Sequence, residues 1–401
     1  MLSLYIHTPF CKQKCSYCNF FVSPTDKMED SNSFVNNYID SLKSQIDFFA
    51  EKFPKEEIKT IYFWWWTPLE LWKENIFSIV DKIIDKFDTS LCEEISFELN
   101  PDPFNDVLDF VASFNKKYKN FFRIRYSFGL QSLNDDVLKS TWRNYVYNTL
   151  IWFIRDLTEY KQANNIFNFD FIAFGAIDYK WQWLPDYKKF FLTNFINSSF
   201  ADSFSLYTLE LFPWSFMYNN YSPNDDLIYE EFDNYKNLLF DWWYKRYEIS
   251  NFELPWKRSL HNMVYWNLEE YLGLWMWASS FLKKDKAFKI FDDLWEEHLA
   301  VRFETSKVWK DFFNNNFDKF NNISKLNNKD LLLEEFFLWL RTKEWIADFE
   351  KYSDILVDDW ENIKNDLEES YYLKTKNWRT FLKSKWMDVY NTIINKLLKD
   401  F

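Results

Sequence analysis

Three of the four cysteines in this 401-residue chain fall within eight positions, as Cys11-x3-Cys15-x2-Cys18, directly after an apolar run that starts at Leu2. Three thiolates on one tight loop suit an iron–sulfur cluster, and on a four-iron cluster they leave one iron without a protein ligand. A small molecule bearing an amine and a carboxylate can chelate that iron. A zinc site or incidental thiols compete with this reading, but zinc asks for four ligands and no second Cys or His pair follows at a suitable spacing. Cys92 stands apart, so a secreted disulfide framework does not fit and a reducing cytoplasm is expected. Glu98, Gln131 and Asp170 each stand at or near the end of a strand-like run, where hydroxyls and an ammonium group could be met. A satisfied polar residue at a barrel rim would look the same.

Something rigid must bring these residues together. Short β-rich runs (2–8, 58–63, 94–99, 122–128, 167–174, 203–209, and a weaker one at 247–252) alternate with longer amphipathic stretches such as 33–52, 69–86, 134–160 and 226–244. That alternation predicts an α/β fold, an open or partial (β/α) barrel whose chemistry lies at the C-terminal strand ends. Strand character fades after residue 283. The Asn-, Lys- and Asp-rich segment 314–329 reads as a linker, and 284–401 as a smaller, mainly helical domain with a short wing near 371–382.

Composition narrows the partners. A net charge of −13 gives no basic footprint for nucleic acid. No apolar run approaches the roughly 18 residues of a membrane span, although peripheral contact with membrane proteins stays open. The first residues, Met1 to His7, have neither the basic start nor the cleavage site of a signal peptide.

One ratio is abnormal: 3 glycines against 22 tryptophans. Ordinary usage of about 7% would give roughly 28 glycines. Trp64-Trp65-Trp66 follow a strand and precede Thr67-Pro68, where a turn or ligand loop belongs. The expectation is that most of these tryptophans are glycine in the cell, through a codon that the standard table reads as tryptophan (UGA is the obvious candidate). The competing reading is an unusually aromatic protein. Intact mass of the natively made chain separates the two, since each replacement removes an indole.

Longer motifs carry a resemblance. Tyr5-Ile6-His7-Thr8-Pro9-Phe10-Cys11 through Cys18-Asn19-Phe20 is similar to the start of the oxygen-independent coproporphyrinogen III oxidase-like radical S-adenosylmethionine (SAM) proteins. Residues 62–68 match that branch's triple-glycine-Thr-Pro loop, with tryptophan at each glycine. Glu98-Leu99-Asn100-Pro101-Asp102 and Ser127-Phe128-Gly129-Leu130-Gln131-Ser132-Leu133 match two further motifs, and Trp142-Arg143 stands where the family has Gly-Arg. The similarity runs from about Leu2 to Phe281, with weaker echoes at Leu340-Arg341-Thr342.

That resemblance implies a [4Fe–4S] cluster on Cys11, Cys15 and Cys18, with S-adenosyl-L-methionine as cofactor, its reductive cleavage yielding a carbon radical. Tyr17 would lie by the nucleoside. Trp65, Trp66 and Thr67 would meet the methionine end through backbone groups, and Tyr5, Glu98, Gln131, Arg143 and Asp170 match further cofactor-contacting positions. After Asp170, a usual Gly-Leu-Pro and a later Gln-Thr pair are missing, which puts cofactor details there in question. Phe20 occupies the place of the oxidases' fourth cysteine. His261-Asn262-Met263-Val264-Tyr265-Trp266 resembles the signature of the heme chaperone (HemW) subfamily, which implies heme as cargo and a heme-accepting protein as partner. His261 is the expected axial heme ligand, with a buried structural histidine as the other account. Oxidative decarboxylation of coproporphyrinogen is the alternative function.

Overall fold

The computed structural model describes residues 1–19, 22–25, 30–64, 68–175, 200–342, 350–370, 372–376, 379–382, 387–388 and 390–398. Its main sheet has twelve strands. They are β1 (Leu2–His7), β2 (Ile58–Trp64), β3 (Glu94–Leu99), β4 (Arg123–Gln131), β5 (Asn165–Ala173), β6 (Ser203–Thr208), β7 (Lys245–Arg246), β8 (Asn251–Glu253), β9 (Tyr271–Leu274), β10 (Ser279–Lys283), β11 (Ala300–Thr305) and β12 (Phe320–Leu326). Seven of them, in the order β9-β1-β2-β3-β4-β5-β6, run parallel, while both flanks are antiparallel. This is the expected partial barrel, with a C-terminal helical unit.

The parallel strands read as near-continuous apolar runs because helices bury their outer face. In α1 (Ser31–Lys52), the buried Val35, Tyr38, Ile39, Leu42, Ile46 and Phe49 recur at three- and four-residue spacing, one stripe against the sheet. Asp30 caps that helix by accepting from the Ser33 N–H at 3.0 Å. Helix α2 (Lys73–Lys86) repeats the device with Ile76, Ile79, Val80 and Ile83. Such crossovers leave the β1–β6 C-terminal ends side by side on one rim.

The sheet does not stop at residue 283. Strands β11 and β12 extend it, and the segment expected as a linker contains β12. Its sequence, Phe-Asn-Asn-Ile-Ser-Lys-Leu, lacks an apolar face because it is an edge strand with its middle exposed, which polar residues protect from further pairing. The main core accordingly reaches Phe317, and a second core gathers Phe336, Leu340, Tyr352, Leu356 and residues up to Leu398. The expected wing is a hairpin, Leu373–Lys376 with Arg379–Leu382. Among the described residues, no helix is long and apolar enough to cross a membrane.

Backbone geometry bears on the tryptophans. Among the described residues eleven non-glycine positions have positive φ, and six of them are Trp72, Trp142, Trp243, Trp256, Trp275 and Trp277. Two of the six end helices in a glycine-type cap. After α5 (Asp225–Asp241; α3 and α4 are Phe104–Tyr118 and Tyr147–Leu157), the Tyr244 N–H bonds the Leu239 carbonyl and Trp243 N–H the Phe240 carbonyl. Arg143 and Trp142 do the same to Leu138 and Lys139. That pattern places the residue between in the left-handed region, which glycine enters freely and a β-carbon resists by about 1 kcal/mol.

Trp243 and Trp256 are 81% and 87% exposed, so replacing them sacrifices almost no buried surface. Trp243→Gly and Trp256→Gly should each raise unfolding stability by about 1 kcal/mol, read as a higher denaturant midpoint at unchanged slope. A loss of stability in both would contradict glycine as the residue these turns were built for.

Candidate functional site

The rim of the parallel strands opens into a cavity of about 830 Å³. Tyr17 from the cysteine loop, Trp64 at the end of β2, Glu98 of β3, Gln131 of β4, Asp170 of β5 and Arg143 all line it. Five of the ten expected non-cysteine positions (Tyr17, Glu98, Gln131, Arg143 and Asp170) are therefore brought together on one wall. Trp65, Trp66 and Thr67 lie outside the described residues, as does Phe20. Sequence reasoning missed Asn100 and Tyr207, which line the same cavity. Asn100 stood within a quoted motif, and its position two residues after Glu98 was the available signal.

The cysteine loop is fastened from two sides. Ser16 Oγ donates to the Ser140 carbonyl at 2.9 Å, and the Gln13 amide donates to the Trp142 carbonyl. From the far side the Met217 N–H bonds the Ser16 carbonyl at 2.9 Å, and Trp214 Nε1 donates to the Asn19 carbonyl at 2.8 Å. A Cys18 N–H to Cys15 carbonyl bond of 3.1 Å closes the turn. All three thiols are buried and free of disulfides. Burial, then the neighbouring Cys15, pushes the Cys11 thiol up to about 12. Among the described residues no trio of His, Cys, Asp or Glu is gathered to hold a metal ion. A four-iron cluster makes a different demand, one thiolate for each of three irons, and three thiols outside any disulfide on one fastened turn suit it.

Arg143 ties loop to cavity. Its guanidinium donates to Tyr17 Oη at 2.8 Å and Asn100 Oδ1 at 2.9 Å. At the strand ends, Ser127 Oγ donates to Asp170 Oδ2 at 2.8 Å and Asn168 Nδ2 to Oδ1 at 2.8 Å. Glu98 accepts from the Tyr62 hydroxyl. Burial, then the nearby Asp170 carboxylate, pushes Glu98 up to about 8, against the pull of Tyr62 and Arg125. Two acids sharing one dry wall is a cation-accepting arrangement. Gln131 sits at φ 65° beyond a bulge, and a β-carbon on Gly129 would come within 2.6 Å of its amide nitrogen, so a larger residue at 129 would push the Gln131 side chain aside.

Two expectations change. Tyr5 does not line the cavity: its hydroxyl meets His7 Nδ1 at 2.7 Å, and its ring sits beside that of Trp64, with centroids 5.9 Å apart. The Trp64 ring, also stacked on Tyr62, lies at the cavity wall that Tyr5 does not reach. His261 is 0% exposed. Its Nδ1 is 2.7 Å from Thr60 Oγ1 and its Nε2 2.9 Å from Tyr265 Oη, and burial lowers it to about 3, so the ring is neutral. With both nitrogens engaged it bonds α6 (Leu260–Trp266) to β2; an iron ligand needs a free, accessible nitrogen. Cys92, buried in the main core and bonded to the Glu94 carbonyl at 3.7 Å, is remote from the loop in sequence and keeps a structural place.

Comparison with known proteins agrees with this geometry. Residues 5–175 match the model of the radical SAM superfamily. A heme chaperone HemW of Buchnera aphidicola subsp. Schizaphis graminum is 28% identical over all of this chain and 98% of its own length. The HemW of Bacillus subtilis is 27% identical over 70% of this chain and 71% of that protein. In fold, the chain is similar to the coproporphyrinogen III oxidase HemN of Escherichia coli, a radical SAM enzyme, with TM-score 0.73 at 17% identity, covering 98% of this chain and 89% of that one.

Proposed function

This chain resembles the HemW subfamily of the radical SAM proteins, and from that premise we propose a heme chaperone that holds a [4Fe–4S] cluster and S-adenosylmethionine and passes heme to a target protein. The observation that carries the reading is the convergence on one cavity of Tyr17 from the cysteine loop, of Arg143, and of the strand-end side chains Glu98, Gln131 and Asp170. Cys11, Cys15 and Cys18 would hold the cluster. Bound together, cluster and cofactor supply one-electron chemistry, which is theirs and not the protein's. The chain's own contribution is position. Tyr17, pinned by Arg143, offers a ring to the nucleoside; Glu98 and Asp170 offer acceptors to hydroxyls and cationic groups; Gln131 bounds the same wall. The cytoplasm is the compartment proposed, where thiols stay reduced.

Glu98 gives this arrangement a pH signature. Held up to about 8, its carboxyl is protonated at neutral pH, and a cationic ligand favours the ionised form. S-adenosylmethionine affinity should therefore rise as pH climbs through about 8 and then level off. Calorimetry in buffers of different ionisation enthalpy should find proton release at neutral pH, absent in Glu98→Gln. Affinity independent of pH across that range would remove Glu98 from the binding wall.

Most of the tryptophans belong to the same proposal as glycine in the cell, on the support of the six positive-φ positions. Trp266 is excepted, since it lies within helix α6 and in the signature. A chaperone, in preference to an oxidase, is favoured by Phe20 and by residues 261–266. Anaerobically reconstituted protein made with glycine at the recoded positions should bind heme and show no decarboxylation of coproporphyrinogen. His261→Ala should alter stability more than heme affinity. Porphyrinogen turnover would instead make the chain an oxidase.

A further inference from the structure

The cavity extends beyond the strand-end wall. Its outer part is lined by Tyr229 and Phe232 of α5, Arg246, Arg341, Met387 and Tyr390. Two guanidinium groups lie here, and they differ. Arg246 is committed, its Nη1 paired with Asp388 at 2.5 Å and its Nε bonded to the Ile249 carbonyl at 2.8 Å. Arg341 forms no ion pair among the described residues, and its Nε is buried without a hydrogen-bond partner. It is nevertheless held in place. The guanidinium carbon lies 4.5 Å from the Trp266 ring centre and 5.5 Å from that of Tyr390, and the next residue, Thr342, bridges to Glu248.

Acidic groups face the same region. Asp388 is taken by Arg246 and Lys236, and Asp233 by Lys236. Glu248, buried beneath, accepts from the Ser250 N–H at 2.9 Å and the Asn251 amide at 2.5 Å. Glu210 lines the rim. Arg341 draws on the Glu248 carboxylate and bonds the Tyr390 side chain, yet among the described residues it makes no close ion pair, and its five donors exceed these contacts. A guanidinium placed against two aromatic rings, at the wall of a cavity with aromatic sides, is suited to a carboxylate carried on a planar ring system.

We infer that Arg341 anchors a carboxylate of a flat, multi-ring ligand in the outer cavity and that Trp266 is its positioning residue. On the heme-chaperone reading, upon which this inference rests, the carboxylate is a heme propionate. The His-Asn-x-x-Tyr-Trp signature then reaches the ligand through Trp266 and Arg341, while His261 and Tyr265 hold the helix that carries Trp266.

The test uses the full chain and three probes: hemin, iron-free protoporphyrin IX, and hemin dimethyl ester, whose carboxylates are blocked. Arg341→Met should weaken hemin and protoporphyrin IX by roughly tenfold or more, the loss for a charge-assisted hydrogen bond, and leave the ester's affinity unchanged. Trp266→Leu should weaken the acids less, with no change for the ester, and Trp266→Phe should restore most of the affinity. Melting temperatures identify any variant that fails to fold, in which case Arg341→Lys is measured for the same ratio of acid to ester affinity. Equal losses for acid and ester, or none for either, would overturn the Arg341 assignment while leaving heme binding intact. A wild-type chain that binds neither hemin nor protoporphyrin IX would overturn the heme reading and this inference with it.

Discussion

A chain carrying indoles at 64, 65 and 66 should bind S-adenosylmethionine weakly or not at all, and the same chain with Trp64→Gly, Trp65→Gly and Trp66→Gly should bind it. The argument is one of space. The Trp64 ring lies against Tyr62, 6.2 Å between centroids and only 15° from parallel, and forms part of the cavity wall. Glycine there would open the wall toward Tyr5, whose ring is 5.9 Å from the indole, and let the backbone of the loop approach a ligand. Blocking such an approach and its hydrogen bonds should cost roughly a hundredfold or more in affinity. Isothermal titration of both forms, reconstituted alike, measures it. Equal affinities would refute the recoding argument for this loop, whatever the mass of the native chain proves to be.

Much of the site was legible because it sits where strand ends force it to sit. Strand β3 begins and ends as its apolar run predicts, which fixes Glu98 at the rim; β5, Asn165–Ala173 against an expected 167–174, still keeps Asp170 near it. The cysteine loop needed only its spacing. What was not legible arises from closure in three dimensions. Asn100 had a local signal in its motif beside Glu98, whereas Tyr207 reaches the cavity through neighbours distant in sequence, and nothing local marks it. Arg341 lies in a segment that carries a family echo, but its meeting with Trp266, 75 positions earlier, comes only from the fold.

The misreadings have physical causes too. An exposed edge strand has no buried face to alternate against, so β12 looked like a linker and the sheet was cut short at residue 283. His261 has the chemistry of an iron ligand in sequence, yet its two nitrogens meet Thr60 and Tyr265 inside the core. Residue type left both a ligand and a buried structural histidine open, and the contacts at both nitrogens favour the second. Tryptophan at positive φ could not be read at all before the backbone was seen, although the scarcity of glycine pointed to it.

The second large effect concerns iron. Cys15→Ala should abolish the cluster, because removing one of three thiolates leaves too few protein ligands to hold it. Cys92→Ala should keep full iron content and lose only packing, since Cys92 is buried in the main core with its thiol on the Glu94 carbonyl. Iron content alone does not separate three protein ligands from four. The direct measurement is the electron paramagnetic resonance spectrum of the reduced, anaerobically reconstituted chain with glycine at 64–66, recorded with and without S-adenosylmethionine. Ligation by Cys11, Cys15 and Cys18 predicts about four irons per chain and a reduced [4Fe–4S] signal that the cofactor shifts, because one iron is open to it. A signal that the cofactor leaves unchanged, or a Cys92→Ala variant as devoid of iron as Cys15→Ala, would contradict it.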